Sequence, residues 1–293
     1  MVVRRELLRG LGRLNATTAV LQRARLADPL GGMWEAADVQ WWWWRRPRAT
    51  DELALPVWFD EAGPVAAAGL TAWEGTWQAD VFAVPSILDE EDVWAATLEA
   101  AAGHQGEALQ VLVCDDDAPL AGLAIRSGFA MTGELSGTAW MEAGQRPPVA
   151  QVDGFQIVDR VTRADRPHPM IARNGELVEA RLRQCSLYDP SLDLAVEAAD
   201  GGVAGYALFW SDQTTLVGLL EPMRVEDEYQ RRGLARMLLT NGLDRLGRKG
   251  ARRLKVGFET EAARSLYLSA GFVQTSTDRL LVRPAPRPPH PGR

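Results

Sequence analysis

Residues 230–239 read Gln230-Arg231-Arg232-Gly233-Leu234-Ala235-Arg236-Met237-Leu238-Leu239. A run of strand character, Leu216 to Val225, precedes them. Apolar residues follow at helical spacing: Leu234, Ala235, Leu238, Leu239, Gly242, Leu243 and Leu246. The expected local order is strand, tight loop, helix. Gly233 would let another group approach the backbone with no Cβ in the way. A helix start leaves N–H groups unpaired under a partial positive charge, which suits an anion. Arg231, Arg232 and Arg236 would add charge-assisted hydrogen bonds to phosphate oxygens. A basic helix start with one glycine also reads as an ordinary solvated turn.

The residues downstream separate these readings. Leu254-Lys255-Val256-Gly257-Phe258 has the composition of a short strand, and Thr260 is placed to cap a helix carrying Ala263, Leu266, Tyr267 and Ala270 on one face. Gly271-Phe272 closes that helix. Together the two blocks resemble the GNAT acetyltransferase superfamily. Its acetyl-CoA loop, Gln/Arg-x-x-Gly-x-Gly/Ala, is matched at Gln230, Gly233 and Ala235. Its later block, Asn-x-x-Ala-x-x-Leu-Tyr-x-x-x-Gly-Phe, is matched at Ala263, Leu266, Tyr267, Gly271 and Phe272. Thr260 stands where the family usually has Asn. The resemblance covers about residues 152 to 283.

Composition bounds the alternatives. The 293 residues suffice for two moderate cores, and 46% hydrophobic with 24% charged residues is ordinary for a soluble globular protein. A net charge of −7 argues against general attraction to nucleic acid or to an anionic membrane. No apolar run reaches the length of a membrane span, and no signal peptide is evident at Met1 to Glu6, so a cytoplasmic location is expected. Cys114 and Cys185 are too few and too far apart for a disulfide framework, and Cys114 ends an apolar run, which suits a buried structural thiol. His104, His168 and His290 lack the spacing of zinc ligands, so no metal is expected.

The chain also carries an internal repeat. Gly271-Phe272 falls on Gly128-Phe129 at an offset of 143 residues, and at that offset Leu254-Lys255-Val256 falls on Val111-Leu112-Val113. Ala130 to Met141 and Val273 to Val282 both alternate like closing strands. Between the halves, residues 143–148 have linker composition. The copies differ where chemistry would sit. Gln230 to Ala235 fall on Ile87-Leu88-Asp89-Glu90-Glu91-Asp92, whose carboxylates would repel a pyrophosphate, and Tyr267 falls on Ala124. The expected organisation is therefore a degenerate GNAT-like domain over 1–144, an acetyl-CoA-binding domain over 150–283 and a disordered Pro-rich tail over 284–293. The fold class is α/β in the α+β sense: two tandem GNAT-type domains, each a mixed, mostly antiparallel sheet flanked by helices. The arrangement is similar to that of the tandem mycothiol synthase type.

The pattern predicts helices over Arg4 to Leu26 with a break near Asn15, Met33 to Trp43 and Glu90 to Ala102. Strands are expected at Leu53 to Phe59, Val65 to Trp73 and Gln78 to Val84. In the second half, strands are expected at Phe155 to Val161, Leu192 to Ala198, Val203 to Trp210 and Leu216 to Val225, with Pro169 to Gln184 helical.

The resemblance implies an N-acetyltransferase with acetyl-CoA as cosubstrate and a small-molecule or peptide amine as acceptor, by direct attack in a ternary complex. Pantetheine would pair with backbone at Met223, Arg224 and Val225. The pyrophosphate would rest on Gln230, Arg231, Arg232, Gly233, Leu234, Ala235 and Arg236, with Thr260 and Ala263 beside the cofactor. Tyr267 matches the family's tyrosine that points at the thioester sulfur, although its periodicity also suits a core residue. Glu221, amid Gly218-Leu219-Leu220 and Pro222-Met223, is the candidate proton acceptor, and an ion pair with Arg224 is its rival reading. Glu226 and Glu228 are second choices. An oxyanion donor is expected from a backbone N–H near Val225. A non-catalytic CoA-binding regulatory or assembly protein of the same fold is the alternative, and a scaffold that binds no CoA is a third possibility.

Trp41-Trp42-Trp43-Trp44, followed by Arg45-Arg46, cannot all face one core, because four consecutive residues point all round a helix. They either pack the first half of the sequence against the second or line an acceptor pocket for a cationic amine.

Overall fold

The structure, a computed structural model, describes residues 3–103 and 107–285. The chain order is β1 (Arg4–Leu8), α1 (Gly10–Ala27), α2 (Ala36–Arg45), β2 (Leu55–Asp60), β3 (Gly63–Trp73), β4 (Thr76–Ala83), α3 (Glu90–Ala102), β5 (Ala108–Cys114), α4 (Ala118–Arg126) and β6 (Ala130–Glu142). There follow β7 (Phe155–Asp159), α5 (Ile171–Asn174), α6 (Val178–Leu182), β8 (Asp193–Ala198), β9 (Val203–Asp212), β10 (Val217–Val225), α7 (Leu234–Arg248), β11 (Arg253–Phe258), α8 (Glu261–Ser269) and β12 (Val273–Arg283). His104, His290 and tail residues 286–293 lie outside the described residues. Among the described residues no helix is long and apolar enough to cross a membrane.

Two compact units result, and neither is a contiguous half of the chain. The first holds residues up to Trp34, Pro47–Leu135 and the chain from Asp278; the second holds Glu35–Arg46 and Ser136–Thr277. In the first unit the strands run β1-β2-β3-β4-β5, antiparallel except for β4 beside β5, and β12 then pairs β5 from Asp278↔Cys114 to Arg283↔Leu109. In the second unit they run β7-β8-β9-β10-β11, parallel only between β10 and β11, and β6 pairs β11 from Gly137↔Phe258 to Glu142↔Arg253. Each sheet is thus completed by the closing strand of the other half of the sequence.

The core of the second unit follows from two patterns. β9 is buried from Ala204 to Trp210, as expected of a central strand covered on both faces. α7 presents Leu234, Leu238, Leu239, Leu243 and Leu246 to the sheet. At Gly242 the Phe209 ring comes so close that an added Cβ would lie 2.0 Å from it, so only hydrogen fits at that helix position.

Three expectations need correction. Arg4–Leu8 is an edge strand rather than the start of a helix, because pairing with β2 outweighs local helix propensity, and its charges suit an exposed edge. Helix α1 then runs unbroken through the exposed Asn15. The segment Pro169 to Gln184 is not one helix but two short ones, interrupted at residues 175–177. Cys114 is half-buried at the end of β5, not a fully buried thiol, whereas Cys185 is buried; neither forms a disulfide.

Candidate active site

Strand β10 opens the site. Its first residues pair β11 in parallel, from Val217↔Arg253 to Leu220↔Val256, and the register against β9 then shifts between Leu220 and Met223. Beyond that point β10 keeps only β9 as a partner, from Met223↔Ala207 to Val225↔Gly205, while Gly257 and Phe258 of β11 keep only β6. A wedge opens between the two strands. Glu226 N–H donates to Ala204 O at 3.0 Å. By the alternation of an antiparallel ladder, the N–H and C=O of Met223 and Val225 therefore point away from β9, into the wedge. Backbone donors and acceptors there suit an extended amide-bearing chain.

At the end of β10 the chain makes a 3-10 turn, Asp227–Tyr229, and a loop into α7. Two residues of that loop are left-handed, Arg231 (φ +62°) and Gly233 (φ +86°, ψ 0°). Gly233 is the residue before α7, and no side chain caps the helix start, so its first N–H groups are available to an anion. Leu234 is buried in the core and offers only its backbone. Arg231 is exposed and makes no ion pair among the described residues. Arg232 turns back over the Tyr229 ring and donates to Glu228 O at 3.0 Å; Arg236 reaches Ser269. Gln230 donates to Asp227 at 3.0 Å. Thr260 Oγ1 accepts from Ala263 N–H at 3.2 Å and so caps α8, the part that asparagine would play by the same geometry. This donor set, with two left-handed residues and exposed guanidinium groups, fits a diphosphate.

Glu221 lies on β10 at the inner end of the wedge, close enough to Tyr267 for its charge to act on the phenol. Burial pushes the Glu221 carboxyl up to about 8, and the nearby charges of Asp38 and Glu259 push it the same way, while Arg45 opposes them. The carboxylate has neither a hydrogen bond nor an ion pair within the described residues. Its rival partner, Arg224, instead pairs with Glu226 and Asp227. Tyr267 is buried on α8, edge-on to Phe272. Burial raises its hydroxyl above the usual range, and the charge on Glu221 raises it further, so the hydroxyl remains a proton donor. Glu226 is held by Arg173 at 2.8 Å, and Glu228 is exposed.

Asp38 and Arg45 escaped the sequence reading. They lie on α2, which the chain places in the second unit although it comes from the first half of the sequence. Glu35, at the start of α2, forms a buried ion pair with Lys255 of β11 at 3.0 Å. Gln40 donates to Ser186 at 2.8 Å and accepts from Leu187 N–H at 2.9 Å, and Trp43 Nε1 donates to Gln184 at 2.9 Å. Arg181 stacks 4.1 Å from the Trp43 ring centre. The tryptophan run is thereby divided: Trp42, Trp43 and Trp44 are buried, and Trp41 stays half-buried with Arg45 at 5.4 Å from its ring.

The equivalent loop of the first unit carries carboxylates where the second carries guanidinium groups. Asp89 caps α3 by accepting from Glu91 N–H, and Glu90, Glu91 and Asp92 fill the first turn. Burial raises the Glu90 carboxyl, helped by Asp117 and Asp89.

Residues 158–272 match the family model described as the Acetyltransferase (GNAT) family. No curated protein sequence matches the chain. Among solved structures, a tandem GNAT protein from the clavulanic acid biosynthesis pathway is similar over 98% of this chain and 100% of its own, at TM-score 0.67 and 15% identity. A GCN5-related N-acetyltransferase from Sphaerobacter thermophilus is similar over 97% of this chain and 96% of its own, at TM-score 0.59 and 15% identity. A putative acetyltransferase from Pyrococcus horikoshii is similar over 97% and 90%, at TM-score 0.57 and 11% identity. These likenesses are of fold. Residues 158–272 are thus similar to the GNAT family, and the whole has a fold like that of tandem GNAT proteins.

Proposed function

We propose that the protein is an N-acyltransferase that moves an acetyl group from acetyl-CoA to a primary amine of a small molecule or peptide, by direct attack in a ternary complex, with the chemistry confined to the second unit. The observation that carries this reading is a buried carboxyl, Glu221, with no partner among the described residues, within electrostatic reach of the buried Tyr267 hydroxyl where β10 parts from β11. Pantetheine lies along Met223 to Val225, and the diphosphate lies at Gln230 to Arg236, with Thr260 and Ala263 alongside.

The acceptor arrives as an ammonium and gives one proton to Glu221, whose raised pKa suits a base near neutral pH. The freed nitrogen attacks the thioester carbonyl while the Val225 N–H stabilises the developing oxyanion. As the C–N bond forms and the C–S bond breaks, Tyr267 protonates the departing sulfur and then takes the remaining proton from nitrogen. The products are an amide, the free thiol and a protonated Glu221, so protons balance.

Thiol release across a panel of amines tests the proposal. Tyr267→Phe should slow turnover by about 10²-fold or more while leaving CoA affinity nearly intact. Calorimetric binding of acetyl-CoA with no thiol release from any amine would instead favour a CoA-binding regulatory protein.

A further inference from the structure

Glu221 is held through its backbone, and what holds it bears on how the proposed base is aimed, an inference that rests on the acyltransferase reading. β10 pairs Leu220 with Phe209 of β9 and next pairs Met223 with Ala207. Glu221 and Pro222 therefore share one opposite residue, Leu208, the two-against-one pattern of a β-bulge. On the other side of β10 the ladder to β11 ends at Leu220↔Val256. The Glu221 carbonyl thus falls outside both runs of strand pairing. It accepts instead from the Trp210 indole, with Nε1 and the carbonyl oxygen 2.8 Å apart.

Trp210 stands opposite Leu219 in the ladder, so its donor must reach a carbonyl two residues further along β10, roughly 7 Å at the rise of a strand. An indole spans that distance with an apolar body and a single polar tip, which suits an interior position. The side chain is fully buried, and close packing leaves it few other orientations. A bulge re-aims the side chain it carries. With its carbonyl pinned, the peptide plane beyond Glu221 is set, and so is the direction in which the carboxyl leaves the strand. From Met223 onward β9 again supports β10, so the backbone offered to pantetheine has its own hold.

We infer that Trp210 is a positioning residue for Glu221: its indole N–H replaces the missing ladder hydrogen bond at the bulge and keeps the carboxyl at the inner end of the wedge.

The test separates the hydrogen bond from the bulk of the ring. Trp210→Phe is compared with replacement of Trp210 by benzothienylalanine, an isostere that carries sulfur in place of the indole N–H. Thermal unfolding checks that each variant is folded; should Trp210→Phe not fold, the isostere alone is compared with wild type. Carbon-13 NMR of the Glu221 carboxyl, assigned by its loss in Glu221→Gln, follows its titration whether or not the protein turns over. The isostere should lower that apparent pKa by about half a unit or more, because a released bulge admits water to the carboxyl. Asp38 and Arg45 on α2 and Glu259 beyond β11, whose charges act on this carboxyl, are unchanged in the variant, as is Tyr267 on α8, so the shift reports position. With acetyl-CoA and an amine that wild type acetylates, kcat should fall about tenfold or more while KM for both substrates stays within about twofold. The acidic limb of the pH profile should move down with the carboxyl. An isostere that titrates and turns over like wild type, whatever Trp210→Phe does, leaves the ring only a packing role and overturns the inference. If wild type acetylates no amine, the acyltransferase reading fails separately and the NMR titration decides. A lowered pKa in the isostere then supports the positioning role, and an unchanged one overturns it.

Discussion

Glu35 and Lys255 are 220 residues apart in sequence, and their charged atoms lie 3.0 Å apart with both side chains 4% exposed. This ion pair fastens α2 to the strand beside the candidate site. Removing one partner leaves the other charge buried, so Lys255→Met should cost about 3–5 kcal/mol in urea unfolding. Glu35→Gln combined with Lys255→Met should recover at least about half of that loss, because no charge is then stranded.

The second unit also depends on residues before its apparent start. A fragment spanning residues 150–283 lacks α2 and lacks β6, the strand that pairs β11. It would expose the edge of β11 and strand Lys255. Circular dichroism and proteolysis should find this fragment unfolded or aggregated, while the full chain unfolds cooperatively.

Gly242→Ala tests the packing of α7 on β9. The new methyl would lie 2.0 Å from the fully buried Phe209 ring. Overpacking costs about 1–3 kcal/mol, against a gain of up to about 1 kcal/mol in helix propensity, so a net destabilisation is expected in thermal unfolding.

Glu221 should control the pH dependence. As a base it acts when ionised, so kcat/KM should rise through an acidic limb with an apparent pKa near the value of about 8 to which burial lifts this carboxyl. Glu221→Gln should abolish that limb and lower kcat by about 10²–10³-fold. Stability carries the opposite sign. A carboxyl raised in the folded state stabilises the fold fully below its ordinary pKa, and that contribution is lost as pH rises toward about 8. Over that window wild type should lose stability relative to Glu221→Gln.

Much of the second half could be read from local pattern. The stripe on α7, the glycine before it and the tyrosine on α8 each announce themselves within a few turns of chain. Glu221 was conspicuous as a carboxylate in an apolar strand. Arg4–Leu8 misled because five residues of an edge strand, with three charges and no alternation of strong apolar residues, look no different from a helix start. What placed α2 beside Glu221 was invisible for another reason. Asp38 and Arg45 share a helix face that sequence can suggest, but their destination is fixed by Lys255, Gln184 and Ser186, contacts that no local periodicity encodes. The reciprocal use of β6 and β12 is of the same kind. Each closing strand alternates correctly, and nothing in the alternation says which sheet it joins.

The central claim is that the left-handed loop before α7 holds the diphosphate of acetyl-CoA, and calorimetric titration of acetyl-CoA into wild type and Gly233→Val tests it most directly. Valine is strained at φ +86°, so the loop must rearrange. The account predicts one site in wild type and affinity weakened by about tenfold or more in the variant, with an unchanged fold by circular dichroism. Equal affinity in the two proteins, or no binding to wild type, would contradict it.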